Sequence, residues 1–72
     1  MPIVTFTGVA PRARVVSLIT LVQKHAQLRL KEAKEAVERV LEGHQVEFTV
    51  GDGGQAAVFA REARELGALV AD

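Results

Sequence analysis

The 72-residue chain predicts a small two-layer α/β (α+β) domain of order β-α-α-β-α-β. Three observations carry that expectation. Two short stretches alternate apolar and polar residues with the period of a strand. Three longer stretches repeat apolar residues at helical spacing. Glycines stand where those helices must stop.

Ile3 to Thr7 is the first strand, with Val4 and Phe6 on one face and Ile3, Thr5 and Thr7 on the other. Gly8 is expected to break it. Pro11, with its fixed φ and missing N–H, suits the first turn of a helix that runs to about Ala26. Val15, Leu18, Val22 and Ala26 fall on one stripe of that helix with Leu21 beside it, and the stripe is expected to face the core. Val16, Thr20 and Gln23 fall opposite, with Ile19 near the boundary, so an apolar pair reaches an otherwise polar surface.

A second apolar stripe runs from Leu30 through Ala33, Val37, Val40 and Leu41, with Lys31, Lys34, Glu35 and Glu38 on its outer side. Lys31 with Glu35 and Lys34 with Glu38 stand at the i,i+4 spacing of helix-surface ion pairs. Gly43 ends this helix. Val46, Phe48 and Val50 then alternate with Glu47 and Thr49, the pattern of a strand with one wet face. Gly51-Asp52-Gly53-Gly54 is a turn in which Asp52 or a neighbouring glycine can cap a third helix, whose stripe is Ala56, Phe59, Ala60 and Ala63. Gly67 closes that helix, and Ala68 to Ala71 is left as the third strand.

Connectivity then sets the sheet. Two helices between the first and second strands return the chain antiparallel, and one helix between the second and third makes a parallel crossover. The simplest order is 2-1-3, with all three helices on one face and Thr5, Thr7, Glu47 and Thr49 on the other.

Composition bounds the function. Seventy-two residues allow a single domain, 1–72, with one modest core. The absence of cysteine removes disulfide frameworks and thiolate chemistry, and with no basic leader and no long apolar run the expected home is the cytoplasm, with no membrane contact. Nine basic residues balance nine acidic ones, so direct nucleic-acid binding is not expected without a local patch. The glycine cluster lacks the Lys and Ser/Thr of a phosphate-binding loop, and His25 and His44 have no partners at metal-ligand spacing. His25 is expected to flank the first helix against the second. Ser17 sits inside a helix with no base four residues away. No catalytic residue, cofactor or metal is expected.

Leu30-Lys31-Glu32-Ala33-Lys34-Glu35, followed by Val37-Glu38, closely resembles the hallmark helix of the C-terminal domain of the bacterial ribosomal stalk protein. Val15 to Ile19 resembles the preceding helix, and Glu65 to Val70 the closing helix and strand, so the likeness covers nearly the whole chain. It implies the β-α-α-β-α-β fold and a protein-binding surface on the first two helices that contacts translational GTPases such as elongation factors, or the ribosome. By position, Val16 and Ile19 match the exposed apolar pair of that surface, and Lys31, Glu32 and Lys34 its second-helix charges. The chain departs from the family at Val15, Thr20 and Gln23, where basic residues are usual, and at Gln27 and Arg29, where glycines are usual. It also begins at the first strand, without the family's docking domain and hinge, and Met1-Pro2 reads as the start of a free-standing relative. An adaptor of the Clp protease, which shares the fold, and a homodimer formed through the sheet are the alternatives.

Overall fold

The computed structural model describes residues 2–71; Met1, and with it the expected start of the chain, lies outside the described residues. The elements run β1 (Ile3–Val9), α1 (Val15–His25), α2 (Leu30–Leu41), β2 (Val46–Thr49), α3 (Gly53–Glu65) and β3 (Ala68–Val70). The sheet order is β2-β1-β3, and β1 is antiparallel to both neighbours. Order and topology agree with the sequence reading.

The strand alternation decides which face is dry. Val4, Phe6, Phe48 and Val50 are buried, whereas Ile3, Thr7, Glu47, Thr49 and Leu69 are exposed on the open side. Phe6 from β1, Phe48 from β2 and Phe59 from α3 meet at the centre, with ring centroids 4.8, 5.4 and 5.9 Å apart in edge-on or tilted contacts. Such pairs each contribute about 0.5–1.5 kcal/mol beyond the area they bury. Leu18, Leu21 and Val22 of α1, Ala33, Val37 and Val40 of α2, and Ala63 of α3 complete the core.

Four local expectations need correction. β1 does not stop at Gly8 but continues to Val9 through a bulge, where the register against β3 shifts between Phe6 and Gly8. The Thr7 hydroxyl donates to the Leu69 carbonyl at this irregularity. Pro11 is not in a helix: the Ala13 N–H donates to the Ala10 carbonyl, so Pro11 occupies the second position of a β-turn, which its fixed φ suits equally well. The helix starts four residues later. In α2, Leu30 and Leu41 are exposed, because the buried stripe is narrower than its sequence pattern and is centred towards Ala36, leaving both leucines on its shoulder at the helix ends. Finally, His25 packs against α3 and not α2, stacked on Phe59 at 5.2 Å.

Two glycine stops hold as read, with different consequences. Gly43 has φ +98°, and the His44 and Gly43 N–H groups donate to the carbonyls of Arg39 and Val40, which is a Schellman ending for α2. Gly67 has φ +106°, and a Cβ placed on it would lie 2.7 Å from both Cα and Cβ of Ala13. The chain passes this close because the Ala10 N–H donates to the Gly67 carbonyl at 2.7 Å and the Arg14 N–H to that of Leu66 at 2.9 Å. The link before α1 thus supplies donors to the carbonyls at the end of α3. At the other end of α3, the Asp52 carboxylate accepts from the Gln55 N–H at 2.8 Å and caps the helix.

The two glycines provide a matched test. Gly43→Ala has open space and meets only the backbone angle, for a loss of about 1 kcal/mol. Gly67→Ala adds a backbone clash and is expected to cost about 3 kcal/mol. Urea unfolding midpoints of the two variants measure the difference; equal losses would show that the contact with Ala13 relaxes freely.

Candidate protein-binding surface

α1 and α2 form a helical hairpin joined by residues 26–29. The core stripe of α1 is centred on Leu18, Leu21 and Val22, all buried. At about 100° per residue, Val16 lies nearly opposite that centre. It is 78% exposed, more than any other large apolar residue described. Ile19 is not its equal: it is half-buried and packs against the core, so the expected apolar pair presents one fully open side chain.

Lys31, Glu32 and Lys34 are all exposed in the first turns of α2. Glu32 has a structural task as well, since its carboxylate accepts from the Arg29 N–H at 3.3 Å. Arginine has no acceptor, so only this half of a capping box can form. The expected Lys31–Glu35 and Lys34–Glu38 pairs do not close to ion-pair distance, and both lysines stand without a carboxylate partner among the described residues. Because the hairpin folds back, Val16 and Lys31 sit at opposite ends of it, separated by roughly 15 Å along the helices. The five residues therefore do not converge on one point; they mark out an elongated face.

Three features, two on this face and one beneath it, were not drawn from the sequence pattern. Leu30, 60% exposed, adds a second open apolar side chain beside Lys31. Residues 1–31 contain Arg12, Arg14, Lys24, Arg29 and Lys31 but no Asp or Glu, so the segment that ends in the hairpin turn is purely cationic. None of those five forms an ion pair among the described residues. Counting carboxylates by segment, in place of the chain as a whole, would have found this. The third is His25, whose spacing of i+7, i+4 and i+3 from Leu18, Leu21 and Val22 places it in the core stripe. Its side chain is 9% exposed and its Nε2 lies 3.3 Å from the Glu62 carboxylate, tying the end of α1 to α3. His25, Ala26, Gln27, Thr49, Val50 and Gly51 line a half-open cleft of about 210 Å³.

The hairpin turn carries a strained residue. Gln27 has φ +54°, the one non-glycine residue described with a positive φ. The left-handed angle is held here by a residue with a Cβ, at a cost of about 1 kcal/mol.

In comparisons with known proteins, no family model matches this chain and no curated protein matches it. Among the described residues no helix is long and apolar enough to cross a membrane.

Gln27→Gly is expected to stabilise the protein by about 0.5–1 kcal/mol, the strain relieved being partly offset by the freer unfolded chain. A rise in the urea midpoint measures it; a fall would mean that the Gln27 side chain contributes more than its backbone angle costs.

Proposed function

We propose that this chain is a non-enzymatic protein-binding module that docks a partner on the outer face of the α1–α2 hairpin, as the C-terminal domain of the bacterial ribosomal stalk protein does. The observation that carries the reading is Val16, exposed in the first turn of a helix whose other large apolar residues are buried or half-buried. Burying a valine side chain contributes about 1.5–3 kcal/mol, enough for one residue to anchor a contact. Ile19 shapes the floor beside it. Lys31 and Lys34, without a carboxylate partner among the described residues, are available to pair with a partner's, while Glu32 holds the start of α2 in place. The cationic run through Arg12, Arg14 and Lys24 extends the same preference for an acidic surface and would speed encounter at low salt.

The resemblance in the Leu30 to Glu38 segment makes a translational GTPase, such as an elongation factor, the first partner to test.

Titration of a purified elongation factor against the wild-type domain and Val16→Asp, followed by calorimetry, tests the proposal. The variant should bind at least about ten-fold more weakly, with an unchanged urea midpoint. Equal affinities would remove the α1 face from consideration, and no binding by the wild type would remove the GTPase.

A further inference from the structure

The two outer strands of the sheet are treated differently. Because the Val50 N–H donates to the Pro2 carbonyl, and Val4 and Phe6 stand opposite Phe48 and Val46, the even-numbered residues of β2 direct their backbone groups to β1. The N–H and C=O groups of Glu47 and Thr49 therefore point away from the sheet, and β2 is its last strand. On the far side, the Ala71 N–H donates inward to Thr5, which turns the Val70 carbonyl outward, where the Arg64 guanidinium covers it at 3.5 Å. One edge carries a charged side chain laid over it; on the other, no hydrogen bond reaches the outward groups of Glu47 and Thr49 among the described residues.

We propose that the β2 edge pairs with the β2 edge of a second copy of this chain, about a two-fold axis at Phe48, to make a continuous six-stranded sheet. This goes beyond the hairpin reading and uses none of Val16, Ile19, Lys31, Glu32 or Lys34. The strand is self-complementary in that register. Glu47 meets Thr49 of the second copy and Thr49 meets Glu47 of the second copy, and these are the residues whose backbone groups face outward, so each pair can exchange two hydrogen bonds. On the helix side Phe48 and Val50 are already buried in each copy's own core, so the pairing there rests on the backbone, with half-buried Val46 at its margin. Charges also agree. Glu47 stands opposite a hydroxyl and not another carboxylate, and beyond the strand His44 falls level with Asp52 of the second copy. A shift of one residue either way would oppose Glu47 to Phe48 or Val50, whose backbone groups face β1, and the exchanged hydrogen bonds would be lost. A foreign peptide has no such built-in register, which is why a second copy is the occupant the sequence favours.

Sedimentation velocity of the intact chain from about 10 µM to about 1 mM tests the pairing. A reversible monomer–dimer equilibrium is expected, and Thr49→Pro, which removes an outward N–H that the β1 ladder does not use, should raise its Kd at least about ten-fold with the circular dichroism spectrum retained. Amide exchange supplies a readout that needs no variant: the Glu47 and Thr49 N–H groups should exchange more slowly in concentrated than in dilute solution. A chain that stays monomeric throughout, or exchange that is the same at both concentrations, overturns the proposal. So does a dimer that Ile3→Lys abolishes and Thr49→Pro leaves intact, which would place the contact on the open sheet face. Protection of Glu47 and Thr49 that arises only on adding an extended peptide would assign the edge to a foreign strand and overturn it equally.

Discussion

The close passage of Gly67 over Ala13 is the constraint on which the arrangement of the helices rests. Two hydrogen bonds there join the segment before α1 to the last carbonyls of α3, and they are possible only because one residue has no side chain. The start of α1 is thereby fixed relative to the end of α3. From that point the helix can lay Leu18, Leu21 and Val22 against the core and leave Val16 outside. At its other end, the His25 ring over Phe59 and the contact with Glu62 join the same two helices again. α1 is held at both ends by α3, while α2 is tied to it through a short turn.

Most of the fold was legible in the residues because the signals were local and redundant. β2 combines strict alternation with a glycine turn, and α2 combines a stripe with a glycine stop, so each element was marked twice. The errors fall where one signal serves two structures. Proline suits a helix's first turn and the second position of a β-turn alike, and only the bonds from Ala10 and Arg14 to α3, distant in sequence, choose between them. A leucine at the end of an apolar stripe has the right spacing but no element opposite it, as Leu30 and Leu41 show. The destination of His25 depended on which helix lies nearer, which periodicity does not encode.

The candidate face was legible in part for the same reason. Val16 was placed outside by helical period alone, and the structure leaves it there. Ile19 lay on a boundary that the period could not resolve, and core packing claims it. The charges of α2 were read as intramolecular pairs by spacing, yet the side chains extend separately into solvent, as exposed pairs of such small energy commonly do. A face with open lysines and an uncovered valine owes its availability to those unmade contacts.

The position of β1 has a consequence for how the protein comes into being. Of the three strands the first made is the middle one, and its neighbours are residues 46–49 and 68–70, so the sheet gains its second member only after both helices of the hairpin and its third only after α3. The α1–α2 hairpin, by contrast, depends on neighbours close in sequence and can form early. On a translating ribosome the hairpin therefore precedes the layer that supports it, and Phe6 waits uncovered for Phe48 and Phe59 to emerge. Cooperative closure on the emergence of β3 is built into the strand order.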